Sequence, residues 1–234
     1  MLFAVTGRAE ACDPYVATGG GTCSGIWANP RCDDNANHLG GYYRTDHSWS
    51  YVKADIDVQA PFVFSHSGDD FLNNVSYAWV MLDVANVQNW AQFGPAIDNY
   101  GFRQDFAQCY SPSKGIDNIV RANPEPTGST HTYKVVDRPD DTKWFYVDGS
   151  HVLSCGYTFN PDDAEMAGET DSARDQIPGK VSNHDNFASA QVTDTGGTAY
   201  DYLDGNSHWN VSDPWVKHIK STDSSWGVWD GDCS

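Results

Sequence analysis

The sequence predicts an all-β protein, an antiparallel β-sandwich, on three observations. Bulky and polar residues alternate at period two in several short runs, as in Trp49-Ser50-Tyr51-Val52-Lys53-Ala54-Asp55-Ile56-Asp57-Val58. The 21 Gly and 11 Pro are scattered along 234 residues, which breaks the chain into many short elements. No capped stretch of helical period runs beyond about two turns. A hydrophobic share of 39 % supports a substantial core, and the length is ordinary for one sandwich or barrel.

Taken in order, residues 1–44 are rich in Gly, Asp and Asn and hold three of the six cysteines, so they read as a loop-rich segment tied by disulfides and packed on the body. Residues 45–234 read as one β-sandwich domain. Tyr77-Ala78-Trp79-Val80-Met81-Leu82 is almost continuously apolar and too short for a typical helix, which predicts a central strand covered on both faces. In Asn89-Trp90-Ala91-Gln92-Phe93-Gly94, period two puts Trp90, Gln92 and Gly94 on one face and Ala91 and Phe93 on the other. Residues 102–109 alternate again. The runs 131–136 and 143–147 pair as a hairpin, and Asp148-Gly149 is a type I′ turn into the next strand. Further strands are expected around 199–203, 206–209 and 226–230.

The formal charge of −18 comes from 32 acidic against 14 basic residues, so no surface offers the basic stripe that nucleic acid requires. The same balance disfavours docking on anionic membranes and favours a soluble monomer. No run of about 18 apolar residues is present, and membrane insertion is not expected. Six cysteines (Cys12, Cys23, Cys32, Cys109, Cys155, Cys233), even in number and without CxxC pairs, point to disulfides and a secreted, extracellular protein. Cys109 and Cys155 are one candidate pair stapling two strands; the other pairings stay open.

No GxSxG, HExxH, Walker or GxGxxG pattern occurs, and the eight histidines lack metal-like spacing, so no cofactor and no metal site are expected. The acidic residues are almost all Asp. Only Glu10, Glu125, Glu165 and Glu169 are glutamates, and two of these share the apolar-flanked stretch Ala164-Glu165-Met166-Ala167-Gly168-Glu169-Thr170. A glutamate in such a setting can have its pKa raised by burial and alternate between base and acid.

Three stretches together resemble the neprosin family: Tyr51 to Pro61, Trp90-Ala91-Gln92-Phe93-Gly94, and the run from Gly168-Glu169 through Gln176-Ile177-Pro178-Gly179 to Phe187-Ala188-Ser189-Ala190-Gln191-Val192. A Trp229-Asp230…Cys233 ending adds to the likeness. Neprosins are similar to the fungal glutamic peptidases, antiparallel sandwiches whose concave sheet carries a catalytic pair. The resemblance implies a glutamic-peptidase-like jelly roll with Gln92 and Glu169 as that pair. Plant neprosins have Glu where this chain has Gln92; the fungal enzymes pair a Gln with a Glu. On this reading Glu169 handles protons for an attacking water, the Gln92 amide stabilises the oxyanion, and Tyr77, Trp79 and Trp90 line a groove for a peptide or polysaccharide. The alternative is a carbohydrate-binding or structural sandwich, in which Trp49, Trp90, Trp209 and Trp226 stack on sugar rings. Glu165 and Glu169, about 13 Å apart along one strand, make a poor glycosidase pair.

Overall fold

The computed structural model describes residues 39–59, 61, 63, 75–84, 89–98, 101–121, 127–170, 177–180, 183–211 and 216–230. Two sheets face each other. The first has seven strands in the order β14-β1-β10-β3-β4-β5-β6: β14 (His208–Val211), β1 (Leu39–Arg44), β10 (Asp163–Thr170), β3 (Val75–Asp83), β4 (Trp90–Asp98), β5 (Arg103–Ser111) and β6 (Gly115–Arg121). The second runs β15 (Val216–Thr222), β16 (Ser225–Asp230), β11 (Gly179–Lys180), β12 (Asn183–Asp194), β2 (Trp49–Asp57), β7 (Thr130–Asp137), β8 (Lys143–Val147) and β9 (Ser150–Cys155), with β13 (Ala199–Asp201) paired to β12. Pairings are antiparallel apart from Lys180 with Asp230. The all-β sandwich expected from the sequence is the observed fold.

One core fills the space between the sheets. Phe93 of β4 meets Tyr133 of β7 and Phe145 of β8, each at a ring separation of 5.3 Å, while Val80, Leu82, Met166, Val52 and Ile56 close around them without exposed surface. Apolar area removed from water at roughly 25 cal/mol per Å² makes this layer the main stabilising term. Cys109 of β5 and Cys155 of β9 form a disulfide that joins one sheet to the other across a sequence separation of 46 residues. The candidate staple is therefore present, and by loop entropy it is worth about 4 kcal/mol. The other four cysteines lie outside the described residues.

The hairpin reading holds in detail. Asp148 and Gly149 both have positive φ, at 48° and 79°, as a type I′ turn between β8 and β9 needs. One expectation differs: residues 39–44, assigned by sequence to the loop-rich segment, are strand β1, paired on both sides within the seven-stranded sheet. Gly40-Gly41 hides this strand in the sequence, but close packing needs glycine there. A Cβ on Gly41 would come within 2.4 Å of the Ala167 Cβ. Residues 1–38 lie outside the described part.

Trp49 and Trp226, offered above as sugar platforms, have 0 % exposure and belong to the core. Phe187 stacks on Trp226 at 4.3 Å, and the Trp49 indole N–H donates to the Arg44 carbonyl. Residues committed this way cannot stack on a ligand. Trp209 is half-buried against His218 and Tyr42.

Candidate active site on the seven-stranded sheet

The outward face of the seven-stranded sheet is unusual around β3, where it is buried as deeply as the core face. Along β3 the burial covers Val75 through Leu82 without the alternation of a half-exposed strand. Tyr77, Trp79, Met81, Ala96, Phe106 and Ala167 form a second apolar cluster on that outer side. Strand β4 runs through it, and Gly94 is required there: a Cβ would meet the Ala78 carbonyl oxygen at 1.8 Å. Pro95 follows, and Tyr77 pairs with Ala96 and Val80 with Phe93 on either side of the Gly94-Pro95 step. The proline has no N–H to donate to the ladder at this point.

Pairing register decides which polar side chains meet on this face. Glu165 of β10 is opposite Met81 of β3, Met81 is opposite Gln92 of β4, and Gln92 is opposite Gln108 of β5. Gln92 and Glu165 thus occupy one row across the sheet, two strands and about 10 Å apart at Cα, with Met81 as the floor between them.

Glu169 shares the face but not the row. It is opposite Tyr77, which is opposite Ala96, so it stands four residues further along the strand and about 16 Å from Gln92 at Cα. Its Oε2 accepts from the Trp79 indole N–H at 2.9 Å. The Gln92 and Glu169 expected from the sequence thus lie on one face of the sheet in different rows, and Glu165 is the glutamate in the row of Gln92. Tyr77 and Trp79 are not open groove walls either, being 6 % and 2 % exposed. Of the three expected lining residues only Trp90 is half-exposed, stacked on Tyr110 at 4.3 Å.

Beside Glu165 stand two carboxyls that sequence reasoning missed. Asp83 and Asp163 are directly paired across β3 and β10, and oxygens of Asp83, Asp163 and Glu165 lie within 4.8 Å of one another. Asp163 is buried and Asp83 and Glu165 are half-buried, so ionising all three at that spacing is unfavourable. Burial first, then the neighbouring Asp163 and Glu169, pushes Glu165 up to about 8. Burial with the charges of Asp163 and Glu165 raises Asp83 to about 9, and burial raises Asp163 to about 7 against the opposing pull of the Arg44 and Ala164 backbone N–H groups. Burial and the neighbouring charges thus favour the protonated form of these three carboxyls.

Gln92, 5 % exposed, is held from the other side: its Nε2 donates to Gln108 Oε1 at 3.1 Å, and the Trp90 indole N–H donates to the same oxygen at 3.0 Å. Period two puts Asp163, Glu165, Ala167 and Glu169 on one face and Gln104, Phe106 and Gln108 on another strand's outer face, so the residue types were visible. The row that joins them was not.

No protein-family model matches the chain, and no curated protein does. Solved structures do. Two structures of scytalido-glutamic peptidase, one with a transition-state analogue inhibitor and one with a peptide-based transition-state analogue, align at 14 % and 15 % identity with TM-scores of 0.62 and 0.58. Each alignment covers 83 % of this chain and 98 % of the peptidase. SCP-B, a member of the eqolisin family of peptidases in complex with the tripeptide Ala-Ile-His, aligns over the same shares at 15 % identity and a TM-score of 0.57. At these identities the likeness is one of fold: the chain has a glutamic-peptidase-like fold.

Proposed function

We propose that the protein is a secreted peptidase that hydrolyses peptide bonds in acid, with Gln92 and Glu165 as its catalytic pair. The observation that carries this reading is the shared row of an amide and a carboxyl across Met81, the carboxyl raised to about 8. The fold-level likeness to peptidases crystallised with peptide-based ligands supports the substrate class, and the Cys109–Cys155 disulfide supports an oxidising, extracellular setting.

The chemistry follows from the raised carboxyl. In acid Glu165 is neutral, so one of its oxygens accepts a proton from the attacking water while its O–H protonates the leaving nitrogen. Water oxygen bonds to the carbonyl carbon, the C–N bond then breaks, and Glu165 ends neutral as it began. Gln92 supplies an N–H to the oxyanion of the tetrahedral intermediate. With the proton present in the working form, activity is high in acid and is lost as pH rises through about 8.

The test is cleavage of casein or a fluorogenic peptide between pH 3 and 9. Glu165→Gln is expected to lower kcat/KM by about 10³-fold or more with an unchanged circular dichroism spectrum. Glu169→Gln is expected to lose less than about tenfold, because it only relieves the charge that helps to raise Glu165. A larger loss in Glu169→Gln than in Glu165→Gln would overturn the pairing, and no cleavage by the wild type at any pH would overturn the activity.

A further inference from the structure

We infer that Gln108, itself oriented by Trp90, is the positioning residue that fixes which way round the Gln92 amide is presented; this rests on the proposed catalytic pair. The terminal amide of a glutamine has two nearly isosteric ends, one donating and one accepting, and rotation by a half-turn exchanges them. For a group that must stabilise an oxyanion the difference decides the outcome, since a carbonyl aimed at negative charge repels it.

An indole N–H can only donate. The Gln108 atom 3.0 Å from Trp90 Nε1 therefore has to be the carbonyl oxygen. That same oxygen is 3.1 Å from the end of Gln92, which in turn has to be the amide nitrogen. One donor-only group thus sets the polarity of two amides in series. Gln92 spends one N–H on Gln108 and keeps the second N–H and its carbonyl for what lies on the substrate side.

The reference group is itself held. Trp90 stacks on Tyr110 at 4.3 Å with 24° between the ring planes, and both residues are cross-strand partners one step along from Gln92 and Gln108. Cys109, between Gln108 and Tyr110, faces the core with no exposure and is bonded to Cys155 of the opposite sheet. The strand that carries the positioning residue is therefore tied down directly beneath it. Losing a group that orients a catalytic side chain typically costs 10- to 100-fold in activity.

Three variants test the inference on the folded, disulfide-bonded protein at its acid optimum. Gln108→Leu removes the acceptor and is expected to lower kcat by about 10- to 100-fold with KM within about threefold. Trp90→Phe keeps the stacking ring and removes the donor, giving a smaller fall that is again in kcat. Gln108→Glu keeps an oxygen acceptor in the same place and is expected to be at least about tenfold more active than Gln108→Leu. A Gln108→Leu protein within twofold of wild type, or a Gln108→Glu protein no better than Gln108→Leu, would overturn the inference. Side-chain amide NMR separates it from the peptidase reading. An exchange-protected Gln92 Nε2–H that is lost in Gln108→Leu supports the orientation, and its absence from the wild type overturns it whatever the activity.

Discussion

The two sheets share an architecture and differ in what their outer faces do. In the nine-stranded sheet β2, β7 and β8 alternate buried with half-buried residues, the pattern of a sheet with one wet face. In the seven-stranded sheet β3 is buried on both faces, and β4 and β10 are buried on both except at half-buried positions such as Trp90, Glu165 and Glu169. The carboxyls follow the same division. Asp194 and Asp148, at the margins of the nine-stranded sheet, are held below the usual range by the Thr198 N–H in one case and by His131 and the Thr132 N–H, against burial, in the other. Asp83, Asp163 and Glu165 are pushed far above it. A sheet whose outer face has been dried is where a carboxyl keeps its proton, and this is the condition that proton-transfer chemistry in acid needs. The exception is Asp185 of β12, with 0 % exposure and no hydrogen bond to either oxygen, which burial raises in the other sheet.

The comparison breaks most sharply at backbone contacts. Gly94→Val forces a side chain into the Ala78 carbonyl, 1.8 Å from where its Cβ must go, and neither backbone can retreat without separating β3 from β4. The expected loss exceeds about 4 kcal/mol, the range in which many domains no longer fold. Lys53→Gln on the half-exposed face of β2 is expected to change stability by less than about 0.5 kcal/mol. Urea denaturation of both variants measures the contrast, and equal losses would show that the two outer faces are packed alike.

A second test uses pH, and the two groups of carboxyls have opposite signs. Asp83, Asp163 and Glu165 have folded values of about 9, 7 and 8, above those of an unfolded chain, so the stability linked to their protons is fully present below about pH 4 and drains away as pH rises toward 8. Asp194 is depressed, so its contribution is present above about pH 4 and disappears as pH falls. Asp83→Asn is expected to raise Tm at pH 7 relative to wild type and to leave Tm at pH 3 almost unchanged. Asp194→Asn is expected to lower Tm at pH 7 and leave pH 2 unchanged. Calorimetry from pH 2 to 8 reads both, and a fall in Tm at pH 7 for Asp83→Asn would show that the Asp83 carboxyl is not raised in the folded protein.

How much of this was legible in the sequence depends on distance along the chain. The strand at 49–57 and the hairpin built on Asp148-Gly149 show in period two and turn chemistry, and the strand at 75–83 shows as a short continuous apolar run. The site sheet was half legible: Gln92 and the strand with two glutamates were singled out. The choice between Glu165 and Glu169 turns on the register of β3 with β4, whose partners are 7 to 23 positions apart, and on that of β10 with β3, whose partners are 80 to 94 positions apart, a pairing that no local pattern encodes. Asp83 and Asp163 read as ordinary strand-end aspartates until β3 and β10 are paired. Strand β1 was missed because Gly40-Gly41 has the composition of a loop, and its fit against Ala167 and Val216 exists only in the folded sheet.

The smallest effect is expected where the outer face of the nine-stranded sheet carries its cations. Lys134 of β7 is directly opposite Lys53 of β2, an arrangement that like charges disfavour, and burial together with Lys53 lowers its pKa against the helpful neighbour Tyr51. What compensates is aromatic: the ammonium lies 4.0 Å from the Tyr51 ring centroid and 5.7 Å from that of Tyr146. Such contacts are worth about 0.5–1 kcal/mol at partly exposed sites, close to what the opposed lysines cost. Lys134→Met keeps the apolar stem, removes the charge, and is expected to change stability by less than about 0.5 kcal/mol in either direction at pH 5. Peptide cleavage should be unaffected, because the residue is on the far side of the core from Gln92. A drop in activity with stability intact would mean that the two outer faces are coupled through the sandwich, and the division of labour between the sheets would have to be given up.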